Sequence, residues 1–288
     1  MAARVTAPSI RARKVRTGAE PLVMVTAYDA PGARMADEAG VDLILVGDSL
    51  AMVVLGHPDT LSVTVDEMAH HTAAVARVSP RPLVVADLPW MSYHVSPADT
   101  VQNAARLVRA GATAVKLEGG RKRVPMVSAI VDAEIPVMGH LGLTPQSMHA
   151  MGGFKVQGKD VSAAEALVDD ARALVEAGVF SLVLEGVPDA VGRLITESVD
   201  VPTIGIGAGP SCDGQVLVFH DVLGLEDRVL PKFVRRYASL KADGVAALAA
   251  FAADVRSGAF PADAESYHLT AEVEDELVGL YGGAILSA

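Results

Sequence analysis

"ADEAGVDLILVGDS", residues 36–49, begins as the end of a helix, turns at Ala39-Gly40, runs apolar from Leu43 to Val46 and stops on Asp48 and Ser49. The same frame returns as "LVRAGATAVKLEGG" (107–120) and "LVEAGVFSLVLEGV" (174–187). In each, a glycine (Gly40, Gly111 or Gly178) falls where a chain leaves a helix in the left-handed conformation. Each apolar run then closes on charge: Asp48, then Lys116 and Glu118, then Glu185. A second variant enters its strand through proline, which a strand tolerates at its first residue: "RPLVVADLP" (81–89), "IPVMGHLG" (135–142) and "VPTIGIGAG" (201–209).

Helical patterns lie between these runs. "SPADTVQNAARLVRAG" (96–111) opens with Ser96 as cap, Pro97 at the first helical position and Asp99 three residues after the cap. "SAAEALVDDARALVEAG" (162–178) carries the same box as Ser162 and Glu165, and its apolar residues follow helical spacing. Residues 64–78 and 122–133 also read as helices. With "LVMVTAYD" (22–29) the strands number seven, and "QVLVFHD" (215–221) is an eighth strand or a helix.

All-apolar strands alternating with helices imply a parallel sheet covered on both faces. Seven or eight such units in 288 residues point to an α/β fold, a (β/α)8 TIM barrel. A doubly wound sheet is the rival. The expected organisation is one domain over 1–288: a lead-in segment (1–20), the barrel and closing helices (20–261, with helix expected over 232–258), and a C-terminal tail (262–288).

Composition narrows the function. The net charge of −11 argues against a nucleic-acid groove or an anionic membrane as partner, and 51% hydrophobic residues mark a globular chain. No apolar run approaches the roughly 18–20 residues that span a bilayer. The single cysteine, Cys212, excludes an intramolecular disulfide and a multi-cysteine zinc site. The first 19 residues hold five basic residues and no acid, which faintly resembles a transit peptide; a cytoplasmic lead-in is the preferred reading.

In a barrel the C-terminal strand ends build the active face. Asp48, Asp87, Lys116, Glu118, His140 and Glu185 all fall at or just past such ends. Any one acid there reads equally well as the cap of the next helix. The set does not, since Asp87 precedes Leu88-Pro89 and Glu185 is followed by no immediate helix start. Like charges held together are unfavourable, and a divalent cation is the simplest compensation. Oxygen ligands favour Mg2+ over Mn2+ or Ca2+, while His140 leaves a transition metal open. Lys116 and Glu118 share a strand face. Glu185, on another strand, is free to act as a base.

The connections 49–63 and 141–161 lack periodicity and are long enough to be lids or binding loops. "GIGAG" (205–209) is no dinucleotide fingerprint; it gives a tight turn or a close approach to a ligand. His70 and His71 sit within a helix as surface or satisfied residues, and Cys212 sits in a loop as a structural thiol.

Taken in order, "VTAYD", "LVGDS", "ADLP", "VKLEGG", "GHLGLTPQS", "GGFKVQG", "GIGAG", "CDGQVLV" and "FPADAESYH" resemble the 3-methyl-2-oxobutanoate (ketopantoate) hydroxymethyltransferase family over roughly residues 10–268. The resemblance implies a barrel of the phosphoenolpyruvate mutase and isocitrate lyase superfamily. It implies transfer of a hydroxymethyl group from 5,10-methylenetetrahydrofolate to 3-methyl-2-oxobutanoate, through a Mg2+-stabilised enolate, on the route to pantothenate and coenzyme A. It further implies a cytoplasmic homodecamer. Carried over by position, Asp48, Asp87 and Glu118 are the metal-site carboxylates, and Asp48, Ser49, Asp87, Lys116 and His140 surround the keto acid. Glu185 is the proton acceptor. Two rivals remain: a superfamily lyase acting on a 2-oxo acid, and a non-catalytic barrel that has kept the pocket. The residues after His268 extend past the family's usual end and read as a short helix with a flexible end.

Overall fold

The structure, a computed structural model, describes residues 4–15, 18–226 and 230–282. They fall into two compact units, within Met1–Ala238 and Ser239–Ala288.

The first unit is a closed barrel of eight parallel strands in sequence order. They are β1 (Leu22–Thr26), β2 (Leu43–Val46), β3 (Leu83–Asp87), β4 (Ala114–Glu118), β5 (Val137–Gly142), β6 (Ser181–Glu185), β7 (Thr203–Ile206) and β8 (Gly214–Leu217). β8 pairs with β1 and closes the ring, which rules out the doubly wound alternative. The ambiguous "QVLVFHD" resolves into both readings: its first residues lie in β8 and a short helix follows at Phe219–Leu223.

Period two along each strand separates two cores. Ile44, Val46, Val84, Ala86, Val115 and Leu117 pack outward against the helices. Leu43, Leu45, Leu83, Val85, Ala114, Met138 and Val183 fill the barrel interior. Burying each larger member contributes about 1.5–3 kcal/mol. The same inward phase continues to the strand ends and changes chemistry there. Val85 is followed two residues on by Asp87, Ala114 by Lys116 and Glu118, Met138 by His140, and Val183 by Glu185. The lower barrel is therefore hydrocarbon and the upper layer ionisable, because one face of one strand carries both.

Gly40, Gly111 and Gly178 have φ of +77°, +113° and +101°, as the repeat predicts. Ser96 accepts from the Asp99 amide at 3.1 Å at the start of the helix Pro97–Arg109. The helix Val65–Ala76 matches the expectation for 64–78. The stretch 122–133 is divided between a 3-10 turn (Arg121–Arg123) and a helix (Val124–Asp132). The cap expected at Ser162 is instead Asp160, whose carboxylate accepts from the Ala163 amide at 2.9 Å. The helix Val161–Glu176 starts one residue before Ser162, since a carboxylate at 160 already satisfies the first free N–H groups.

The basic lead-in is structural. Ala7 and Ile10, on the helix Ala7–Arg11, join the interior cluster at the N-terminal end of the strands. Lys14 is buried against Asp213 at 2.7 Å, Arg13 meets Asp42 at 2.6 Å, and Arg11 donates to the Val179 carbonyl at 2.9 Å. Asp213 also accepts from the Thr203 and Val15 amides, each at 2.9 Å, and so joins the lead-in to β7 and β8.

In the second unit, the helix expected over 232–258 begins only at Leu240 and runs to Ser257. A further helix, Ala271–Tyr281, matches the short helix expected after His268. The end of the tail, 283–288, lies outside the described residues. Among the described residues no helix is long and apolar enough to cross a membrane.

Candidate active site

A cavity of about 880 Å3 opens at the C-terminal strand ends. Asp48, Ser49, Asp87, Lys116, Glu118, His140 and Glu185, the seven residues expected from sequence, all line it. Strand register explains why. Asp87 lies opposite Lys116 in the β3–β4 pair, Glu118 opposite His140 in β4–β5, and Gly142 opposite Glu185 in β5–β6.

Lys116 Nζ sits 2.7 Å from Asp87 Oδ1, both side chains being almost wholly buried. The Asp48 amide donates to Asp87 Oδ2 at 3.1 Å. His140 lies between two acids: its Nδ1 is 3.3 Å from Glu118 Oε1 and its Nε2 is 3.3 Å from Glu185 Oε2. Nδ1 is also 3.3 Å from Lys116 Nζ. It cannot accept from the ammonium and donate to Glu118 together, and the flanking carboxylates favour the protonated ring. The Nε2 approach to Glu185 is an ion-pair distance without hydrogen-bond alignment. Ser49 exchanges a hydrogen bond with the Tyr28 hydroxyl at 2.9 Å.

Electrostatics follow from this packing. Burial, then repulsion from Asp87 and Glu118, pushes Asp48 well above the usual carboxylate range. Burial also raises Asp87, although Lys116 opposes it. Burial alone would raise Glu118 too, but His140, Lys116 and the Gln146 amide outweigh it and the net shift is down. For Lys116 burial works against the charge, yet Asp87, Glu118 and Asp48 override it and the pKa rises. His140 is opposed by burial and by Lys116, but Glu118 and Glu185 lift it to about 9.

Two residues not singled out in the sequence organise this cluster. Gln146, buried, donates from Nε2 to Asp48 Oδ2 at 2.8 Å and to the Leu88 carbonyl at 3.0 Å. Its backbone N–H donates to Glu118 Oε2 at 3.0 Å, and its Oε1 accepts from the Tyr93 hydroxyl at 2.6 Å. Tyr93 in turn accepts from the Glu118 amide at 3.3 Å and lies beneath the Arg123 guanidinium, 5.4 Å from the ring centre. Gln146 lies in "GHLGLTPQS"; the motif was visible but an uncharged side chain gave no chemical cue.

The connections expected to be binding loops contribute to the wall: Met52 and Thr60 from the first, Phe154, Lys155 and Val156 from the second. Of "GIGAG", Gly207 and Gly209 line the cavity. His71 is satisfied, its Nδ1 lying 2.7 Å from the Tyr28 carbonyl. Cys212 is buried, which raises its pKa and keeps it a thiol.

The donor set fits a hard divalent cation. Asp48, Asp87 and Glu118 crowd their oxygens at one end of the barrel, and a cation there would relieve the repulsion that raises Asp48. Among the described residues, however, no three His, Cys, Asp or Glu side chains are gathered into a ready cage. Lys116, Gln146 and His140 already hold the three strand-end acids. An ion bound by one or two carboxylates and completed by water and substrate matches this pattern, and that is how Mg2+ is usually held.

A sequence profile described as ketopantoate hydroxymethyltransferase matches residues 4–263. A 3-methyl-2-oxobutanoate hydroxymethyltransferase of Moorella thermoacetica is 59% identical over 92% of this chain and 98% of that protein. Its namesake of Syntrophobacter fumaroxidans is 55% identical over 96% and 98% respectively. Among solved structures, 2,3-dimethylmalate lyase, a PEP mutase/isocitrate lyase superfamily member, aligns with a TM-score of 0.59 at 21% identity, covering 97% and 96% of the two chains. A phosphonopyruvate hydrolase in complex with oxalate and Mg++ gives 0.60 at 14%, with the same coverage. These last two share the fold.

Proposed function

The chain belongs to the ketopantoate hydroxymethyltransferase family, and from that premise we propose how its site divides the work. The enzyme transfers a hydroxymethyl group to 3-methyl-2-oxobutanoate, a step of pantothenate biosynthesis. The observation that carries the division is the buried layer of Asp48, Asp87, Lys116 and Glu118, with Glu185 joined to it through His140.

Asp48 and Asp87 would hold Mg2+, with Glu118 as the third acid of the site; Mn2+ would suit the same oxygen set. When bound, the ion supplies Lewis acidity toward the keto oxygen. Ser49 and Lys116 hold the oxo acid, with Lys116 placing a fixed positive charge against its oxygens. Glu185 takes the proton from C3. It suits that role as the acid of the set least committed to a neighbour, with 17% of its side chain still exposed to the cavity. His140 positions Glu185 from Nε2 and Glu118 from Nδ1. The enolate carbon then forms its bond to the one-carbon unit of 5,10-methylenetetrahydrofolate. Tetrahydrofolate leaves as the carbon–nitrogen bonds to that unit break, and one water supplies the new hydroxyl. Cytoplasmic location and homodecameric assembly are carried over from the resemblance.

The test is hydrogen exchange. In D2O with Mg2+ and 3-methyl-2-oxobutanoate but no folate, the C3 proton signal should disappear. Tight keto-acid binding without exchange would instead favour the ligand-binding barrel.

A further inference from the structure

Behind Ser49 lies a second hydroxyl. Ser49 Oγ and Tyr28 Oη are 2.9 Å apart, and by distance alone either could be the donor. The direction matters, because each hydroxyl has one proton to give. Only if Tyr28 donates does the serine keep its proton for an anion in the cavity.

The residues around Tyr28 settle that direction. Thr26 is the last residue of β1, and Tyr28 follows two positions on. Thr26 Oγ1 accepts from the Phe219 amide at 2.9 Å, and an amide N–H can only donate. The threonine's own proton is left for its other partner, the Tyr28 hydroxyl. Burial holds Tyr28 protonated by raising its pKa. Asp221 acts on this hydroxyl through its charge and not through a hydrogen bond. Having accepted from Thr26, Tyr28 has its proton to give to Ser49. The tyrosine is itself held in place: His71 Nδ1 lies 2.7 Å from its carbonyl, and the His220 ring packs 5.5 Å from its ring centre.

Resting on the reading of Ser49 given above, we propose that Tyr28 is a positioning residue: a one-way series of hydrogen bonds, from the Phe219 amide through Thr26 and Tyr28, fixes Ser49 as a donor to the oxo acid. No proton is transferred along the series. Each hydroxyl is held in one of its two directions, so the serine meets an anionic oxygen already aligned.

The test uses full-length wild type, Tyr28→Phe, Thr26→Val, Thr26→Ser, Ser49→Ala and the double variant Tyr28→Phe/Ser49→Ala. Steady-state kinetics are read for each substrate separately, below the onset of unfolding of every variant. Tyr28→Phe removes one oxygen and should raise KM for 3-methyl-2-oxobutanoate about three- to tenfold, with KM for methylenetetrahydrofolate unmoved. Thr26→Val should raise the same KM and Thr26→Ser should restore it, a comparison that stands even if Tyr28→Phe does not fold. Because Tyr28 acts through Ser49, the double variant should have the keto-acid KM of Ser49→Ala alone. An unmoved keto-acid KM in Tyr28→Phe, whatever its Tm, would make the tyrosine structural and overturn the proposal. Additive losses in the double variant, or Thr26→Ser no better than Thr26→Val, would overturn it as well. C3 exchange in D2O is run alongside on wild type. If exchange is present while these variants fail the test, only the role of Tyr28 falls; if wild type shows none, the reading of the inner site falls instead.

Discussion

Replacing Lys116 by methionine keeps an unbranched, flexible side chain one atom shorter and removes its charge. The ammonium lies 2.7 Å from Asp87 Oδ1 with both groups buried. Taken alone, that separation corresponds to about 6 kcal/mol at an effective dielectric constant of ~20. The full amount will not be lost, because the carboxylate can take up a proton. Neutralising a carboxyl of ordinary pKa at pH 7 costs about 4 kcal/mol, and less here because burial already raises Asp87. That limit agrees with the ~3–5 kcal/mol typical of breaking one side of a buried pair. For a barrel of this size the loss is about 6–20 °C in Tm.

The same reasoning gives the variant a signature. Without Lys116, Asp48, Asp87 and Glu118 have lost their shared cation, so a divalent ion gains more by entering. Thermal and urea unfolding should be followed in EDTA and again with saturating Mg2+. We expect Lys116→Met to be severely weakened in EDTA and to recover much more than wild type on adding Mg2+. A loss below about 1 kcal/mol, or the same gain from Mg2+ in both proteins, would refute the picture of a charge cluster built around a divalent ion.

Glu185→Gln should abolish C3 exchange while Mg2+ and keto-acid affinities change little; strong residual turnover would remove Glu185 as the base. Asp87→Ala should weaken Mg2+ binding by calorimetric titration, and an unchanged isotherm would take Asp87 out of the metal site. Gln146→Leu leaves the Asp48 carboxylate, the Leu88 carbonyl and the Tyr93 hydroxyl short of a partner. It should cost about 2 kcal/mol or more of stability and raise the Mg2+ concentration needed for half-maximal activity; stability loss with an unchanged Mg2+ requirement would make Gln146 structural only. His140 is lifted to about 9 in the fold from 6.5, so its contribution is complete below pH 6.5 and lost as pH rises through 9. Metal-free protein should therefore lose about 3 kcal/mol across that window, whereas His140→Gln should stay flat in the same denaturation series.

What the sequence disclosed, and what it did not, divides along the range of the interactions. The repeat at Gly40, Gly111 and Gly178 is local, and so were the strands and the strand-end charges that it located. Period two then did the rest: once Val85 and Ala114 point inward, Asp87, Lys116 and Glu118 must follow. The misread features depend on partners far along the chain or on competition between neighbours. Asp160 displaced Ser162 as a cap because two adjacent candidates were present and only geometry chooses between them. The packing of the basic lead-in was out of reach because the partner of Lys14, Asp213, lies 199 positions away.

Gln146 escaped for a deeper reason. Its value lies in having one donor group and one acceptor at the meeting point of three strand ends, with Asp48 98 positions distant. A charged residue there would add to the excess that the cluster already carries, and an apolar one would leave buried acceptors unpaired. A neutral amide is the side chain that donates to the Asp48 carboxylate and the Leu88 carbonyl and accepts from Tyr93 without adding charge, and neutrality is what makes such a residue inconspicuous in a search for chemistry. The acids and the lysine set how much charge the site holds; Gln146 and Tyr93 set where each oxygen points, so affinity for a divalent ion should respond to both sets while C3 proton removal responds chiefly to Glu185.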